Sequence, residues 1–228
     1  MTKNGYILSI DQGTTSSRAA LVSQDGNIIC QKNIEFKQYF PKSGWVEHNP
    51  KDIISSTVEC IESVIQKSGI GLNEIITAGI TNQRETVVAW NKKTGEPIYN
   101  AIVWQDRRTE DICQSLRDQN YQDLIQLKTG LIIDPYFSAS KIKWILENVD
   151  EAESLLMSND LLIGTIDTWL IWNLTNKQSH FTDATNASRT MIYNINDDQW
   201  DEELLDILRI PKEILPIVKN SMDDFGLI

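Results

Sequence analysis

At 228 residues, 41% hydrophobic and 23% charged, the chain is long enough to bury a sizeable core as one large domain or two small ones. Its formal charge of -11, from 21 basic and 32 acidic residues, argues against a general affinity for nucleic acid or anionic lipid, which require basic surface. A locally positive site for a small anion remains compatible with that charge.

No apolar run approaches the length needed to cross a bilayer, and the N-terminus MTKNG lacks the apolar core of a signal peptide. Cys30, Cys60 and Cys113 are far apart and odd in number, and His48 and His180 are isolated. Reduced thiols and a cytoplasmic location are therefore expected, rather than zinc or disulfides.

The first 35 residues read as a three-stranded antiparallel meander: Tyr6–Ile10, Arg18–Val22 after a polar bend, then Asn27–Ile34 after the tight-turn pair Asp25-Gly26. A helix follows. Asn49 is a good N-cap, Pro50 suits the first helical position, Asp52 sits against the positive dipole end, and Gly69 ends it. Ile54, Val58, Ile61 and Ile65 recur at helical spacing. Ile75–Ile80 reads as a buried strand. Thr86–Trp90 and Ile98–Trp104 read as a hairpin around NKKTGEP. Helical patterns then cover roughly 106–119, 121–129, 138–148, 151–158 and 165–174. TDATNASRTMIYNI reads as a loop and a short strand, and the acidic stretch up to Leu215 as one or two short helices broken by Pro211 and Pro216. The class is α/β: a mixed sheet opening with the meander, helices around it.

The first bend, DQGTTSSR at 11–18, combines a carboxylate, a glycine, four hydroxyls and an arginine. Glycine lets backbone N–H groups approach a phosphate, hydroxyls add donors, and a carboxylate holds Mg²⁺ directly or through its waters. The same residues also make ordinary turns, and Arg18 serves equally a phosphate or a structural ion pair. No Walker spacing is present.

MTKNGYILSIDQGTTSSRA resembles the start of the glycerol kinases of the FGGY carbohydrate kinase family, within the actin/hexokinase-like (ribonuclease H-like) superfamily. The likeness continues in KSGWVEHNP (42–50), GITNQRETVVAW (79–90), YNAIVWQDRRT (99–109) and TGLIIDPYFSASKIKWILENV (129–149). It extends through GTIDTWLIWNLT (164–175) and TDATNASRTM (182–191), with Lys141 and Trp144 in register with the family signature. The resemblance implies that Gly13, Thr14, Thr15, Ser16 and Arg18 handle the phosphates of ATP, and that Asp11 helps hold Mg²⁺. It implies a glycerol pocket with Arg84, Glu85 and Tyr136 on hydroxyls and Trp104 against the carbon backbone. Arg-Glu pairs are otherwise usually solvated, and a tryptophan after a strand is usually core. QRET and the Trp-Gln-x-Arg-Arg run favour glycerol over other polyols or sugars of the family. His48 reads as structural, Trp169 as core, and Asn186, Ser188 and Arg189 as either loop or ligand residues.

In that family the catalytic base is an aspartate in Gly-Asp-Gln, and a second domain binds the nucleotide. Gly-Asp-Gln does not occur in the 228 residues; Asp11-Gln12, Asp118-Gln119 and Asp198-Gln199 stand in other contexts. The expectation is a single N-terminal domain over 1–228, incomplete at its C-terminal end and inactive alone. The other readings are a polyol- and phosphate-binding half that pairs with a separate C-terminal chain, and a decayed product. An uncovered inter-domain face that promotes self-association is also expected.

Overall fold

The computed structural model of the chain describes residues 5–228; most of the MTKNG terminus read above lies outside them. In chain order the strands are β1 (Tyr6–Gln12), β2 (Ser16–Ser23), β3 (Ile28–Glu35), β4 (Gln38–Tyr39), β5 (Glu47–His48), β6 (Ile75–Asn82), β7 (Val87–Asn91), β8 (Ala101–Ile102), β9 (Leu161–Thr165), β10 (Phe181–Asp183), β11 (Tyr193–Asn194), β12 (Gln199–Trp200) and β13 (Ile217–Lys219). The helices are α1 (Pro50–Ser68), α2 (Glu110–Asp118), α3 (Gln122–Thr129), α4 (Ser138–Asn148), α5 (Asp150–Met157), α6 (Ile166–Leu174), α7 (Ala184–Ala187) and α8 (Glu202–Leu208). They fall into two compact units. One holds the residues up to Gln38 with Asn49–Gln83, the other Tyr39–His48 with Arg84–Ile228.

In the first unit the predicted meander is present. β1, β2 and β3 pair antiparallel and β6 adds parallel to β1, giving the order β3-β2-β1-β6. α1 covers one face. Asn49 caps it by accepting from the Lys51 amide at 3.0 Å, and Gly69 closes it at φ 68, a left-handed conformation that glycine adopts at no steric cost. The buried stripe of α1 is Ile53, Ser56, Thr57, Cys60, Ile61 and Val64, so of the aliphatic pattern Ile54/Val58/Ile61/Ile65 only Ile61 lies on the core face and the other three are half-buried at its edge. Small polar residues take that face because they bond across to β2: Ser17 and Ser56 share a hydroxyl hydrogen bond of 2.8 Å, and Thr57 donates to Ser17 at 3.2 Å. The expected burial of Ile75–Ile80 is also corrected. β6 is the outer strand, its Thr77, Gly79 and Thr81 are exposed, and Ile76 is 62% exposed.

The second unit is built on a sheet ordered β4-β5-β8-β7-β9. The expected hairpin is present, with Val87 opposite Ile102 and Trp90 bridged to Pro97. The strongest partner of β7 is β9, which the sequence patterns did not reveal. Its five residues are all buried and run directly into α6, so neither an alternation nor a turn marks it. Gly164 permits that passage, since a Cβ there would stand 2.5 Å from Thr168. Val87, Ala89, Ile102 and Ile163 of the sheet share a core with Ile142 and Ile145 of α4 and Leu204 and Leu208 of α8. Trp90 packs against Trp169 and Trp172, with ring centroids 5.3 and 6.1 Å away, which gives Trp169 its expected core role. The three cysteines are free, and among the described residues no helix is long and apolar enough to cross a membrane.

Asp167, in the first turn of α6, is 5% exposed and accepts hydroxyl protons from Thr165 and Thr182. Burial pushes its carboxyl up to about 6, against an ordinary value of 3.8. The folded chain thus holds a proton that the unfolded chain releases between about pH 4 and 6, and stability falls as pH rises through that window. The change is on the order of 2–3 kcal/mol. Asp167→Asn removes the titration. Urea unfolding at pH 4 and 7 should show the variant gaining on the native chain by that amount at the higher pH, whereas a pH-independent difference would mean that folding does not raise the pKa of Asp167.

Candidate functional site

The predicted phosphate turn is a tight hairpin in the first unit. β1 ends at Gln12 and β2 begins at Ser16, so only residues 13–15 make the bend. The Gly13 N–H donates to the Ser16 carbonyl at 2.9 Å, and a Cβ on Gly13 would meet that oxygen at 3.3 Å. Glycine here shapes the turn. Thr15 and Arg18 are exposed, while Thr14 and Ser16 are half-buried. Asp11 and Arg18 are opposite one another in the β1–β2 register and so project from the same face of the sheet. Strand alternation sets that face opposite to the one carrying Ile10, Gln12, Ser17 and Ala19, which are buried on the α1 side.

The turn is braced by two residues that sequence reasoning passed over. Gln12 is fully buried and its side-chain amide donates to the Gly13 carbonyl at 2.7 Å. Gln83, just beyond β6, donates from its side chain to Gln12 Oε1 at 3.0 Å and to the Gly13 carbonyl at 3.2 Å, and from its backbone to the Gln12 carbonyl at 2.7 Å. A glutamine reads locally as surface; its partner 71 residues away is what makes it structural.

Among the described residues no group of three His, Cys, Asp or Glu side chains could hold a metal. Asp11 alone is not a cage. A single carboxylate suits Mg²⁺ that keeps most of its waters and arrives with substrate phosphates.

In the second unit the structure brings Glu85, Trp104 and Tyr136 into one connected cluster. The Trp104 and Tyr136 rings stand 5.4 Å apart between centroids. The Trp104 amide donates to the Thr86 hydroxyl at 3.2 Å. Glu85 is only 3% exposed and has φ 62, inside a three-residue turn in which the Thr86 amide donates to the Arg84 carbonyl at 2.8 Å. Turns of that kind with positive φ are rare and strained. Two groups hold it. Ser138 donates its hydroxyl to the Glu85 carbonyl at 3.1 Å, and Arg189 Nε donates to Glu85 Oε1 at 2.7 Å. The Arg189 guanidinium also lies over Phe137, 5.0 Å from its ring centre. Arg84 is exposed and its side chain is not tied into the cluster.

The loop carrying Trp104 is anchored by Arg108, whose side chain is fully buried. It donates to Asp106 at 2.8 and 2.9 Å and to Glu47 at 2.8 Å, and its guanidinium lies 3.7 Å from the Trp45 ring centre. Asp106 also accepts from the Val46 amide at 2.7 Å, and Glu47 from Tyr99 and Asn100 at 2.9 Å each. A buried ion pair satisfied this fully contributes geometry more than net stability.

His48 is fully buried in β5, where burial lowers its imidazole to about 4, in keeping with a structural role. Asp118 accepts from Gln114 on α2, and Asp198, in the turn between β11 and β12, accepts from Tyr193. Asn186 belongs to α7, capped by Asp183, and Ser188 bonds the Thr185 carbonyl. Arg189 reaches Glu85 across 104 positions of sequence.

The sequence profile of the FGGY family of carbohydrate kinases, N-terminal domain, matches residues 6–228. The glycerol kinase of Bacillus subtilis (strain 168) is 56% identical over 216 residues, 95% of this chain, and that of Malacoplasma penetrans (strain HF-2) is 54% identical over 223 residues, 98% of it. The chain spans 44% of the length of each. The crystal structure of Plasmodium falciparum glycerol kinase with ADP superposes with a TM-score of 0.92 at 38% identity, covering 99% of this chain and 45% of the other.

The turn at Glu85 makes a stability prediction independent of any ligand. Alanine at this position keeps the Cβ that disfavours positive φ, and glycine does not. Glu85→Gly should unfold in urea with about 1 kcal/mol more stability than Glu85→Ala. Equal stabilities would mean that the backbone there is unstrained.

Proposed function

This chain belongs to the FGGY family of carbohydrate kinases, and from that premise we propose that it is the N-terminal portion of a glycerol kinase, the part that holds glycerol and the transferring phosphates. The complete reaction moves a phosphoryl group from ATP to glycerol, giving sn-glycerol 3-phosphate. The two compact units together make the family's N-terminal domain. The observation that most directly supports the reading is Glu85, a carboxylate on a strained turn, braced by Arg189 and Ser138, in the cluster that pairs Trp104 with Tyr136.

In this reading Glu85 accepts from glycerol hydroxyls, and Arg84, exposed and next in sequence, donates to them. Tyr136 adds a hydroxyl partner, and the Trp104 ring covers the carbon backbone. A polyol with its hydroxyls paired loses little on leaving water, while each unpaired buried hydroxyl costs about 1–3 kcal/mol. Gly13, Thr14, Thr15, Ser16 and Arg18 receive the phosphates of ATP at the turn. Asp11 orients the waters of Mg²⁺, which when bound spreads the negative charge of the phosphates.

The proton of the attacking hydroxyl needs an acceptor, which the resemblance assigns to Gly-Asp-Gln, and that motif is not among these 228 residues. The partner proposed is therefore a C-terminal domain or chain that supplies the base and the adenine pocket, with a second copy of this chain as the alternative. The compartment proposed is the cytoplasm, in keeping with three free cysteines.

Calorimetry with glycerol tests the reading. The native chain should bind saturably, Arg84→Ala should weaken binding about tenfold or more, and the chain alone should form no glycerol 3-phosphate from ATP. Absence of binding, or equal affinity in the variant, would overturn the assignment.

A further inference from the structure

We propose that Lys141 is a positioning residue of the polyol pocket: its buried ammonium fixes the turn 134–137 and so sets where Tyr136 stands against Trp104. The inference rests on the reading of Tyr136 as a glycerol contact. Lys141 lies one turn into α4 and is fully buried. Helical side chains lean toward the N-terminus, and this one runs back beneath the turn that precedes its own helix. It donates to three consecutive carbonyls, those of Pro135, of Tyr136 at 2.8 Å and of Phe137 at 3.0 Å. An ammonium has three donors, and all three are used.

Nothing about packing alone calls for a cation here. Among the described residues no carboxylate forms an ion pair with Lys141, and the position is near the positive end of the α4 dipole, where a cation is disfavoured. Methionine would fill the space without either cost. What the ammonium adds is a fixed direction for three carbonyls, and the turn they belong to carries two parts of the cluster. Tyr136 projects from it, with its amide held by Asp134 Oδ1 at 2.8 Å. Ser138, the next residue after the caged carbonyls, holds Glu85. One buried charge thus supports both the aromatic wall and the carboxylate.

The charge is itself poised. Burial lowers the Lys141 amine to about 7, opposed by the carboxylates Asp106, Glu85 and Asp134 around it. Cys113 on α2, which also acts on it, is pushed up to about 11 by burial and stays a neutral thiol near pH 7. The neutral amine has two donors for three carbonyls, so the cage is complete only in the charged form.

Lys141→Met in the full 228-residue chain tests this, read by amide hydrogen exchange and by glycerol calorimetry. The Tyr136 and Phe137 amides should lose protection at least tenfold while the amides of α1 keep theirs, and glycerol affinity should fall about tenfold. Native glycerol affinity should also decline as pH rises through about 7, and that of the variant should not follow pH there. Should the variant fail to fold, the native chain decides: after correction for intrinsic exchange, protection at Tyr136 and Phe137 must fall selectively between pH 6 and 9. Unchanged protection at those two amides, in the variant or across pH, overturns the role of Lys141 even if glycerol binds. Loss of protection in a chain that takes no glycerol upholds the positioning role and overturns the polyol reading instead.

Discussion

The left-handed backbone of Glu85 is the constraint around which the second unit arranges its chemistry. A glutamate at φ 62 in a three-residue turn does not persist without support, because its Cβ crowds the following carbonyl at a cost of about 1–2 kcal/mol. The support comes from two remote residues, while a third remote stretch packs on the neighbour Thr86. Thr86 orients the Trp104 amide, Ser138 takes the Glu85 carbonyl, and Arg189 takes its carboxylate. Each residue that relieves the strained turn also touches or adjoins an aromatic of the cluster. The strain, the aromatic pair and the buried carboxylate are therefore one arrangement rather than three coincidences.

The hairpin turn of the first unit follows a different physical logic. Its backbone needs no strain, since Gly13 closes it and two glutamines lock it from the neighbouring strand. Its polar groups are left loosely covered, with Thr15 and Arg18 exposed and Asp11 half-buried. A rigid frame with solvated donors suits an anion that arrives and leaves with its own counter-ion, whereas a buried carboxylate beside two half-buried rings suits a small neutral molecule recognised hydroxyl by hydroxyl.

Much of this was legible in the sequence wherever the signal is local. Asn49 and Pro50 before an aliphatic periodicity, Asp25-Gly26 between strands, and Gly69 after the last turn all act within a few residues, and the elements they mark are present. What escaped was set by distant partners. β9 is an apolar run whose strand character comes from β7, some 70 positions earlier in the chain. The core face of α1 uses Ser56, Thr57 and Cys60 because β2 offers Ser17 to bond them. Gln12 and Gln83 look like surface residues until paired, and Arg189 gains its meaning only from Glu85. Trp104 and Tyr136 stand ring against ring, and the groups that hold them there act from parts of the chain that no local pattern connects.

The central claim is that Glu85, Trp104 and Tyr136 form a glycerol pocket, and the seven tryptophans of the chain offer a direct way to test it. Each contributes one indole N–H signal to a nitrogen–proton correlation spectrum, and only Trp104 belongs to the proposed pocket. On titration with glycerol the account predicts a saturable shift of the Trp104 indole and of the Glu85 and Tyr136 amides, with Trp90, Trp169 and Trp172 in the core unmoved. Shifts confined to other tryptophans, or none that saturate, would contradict it.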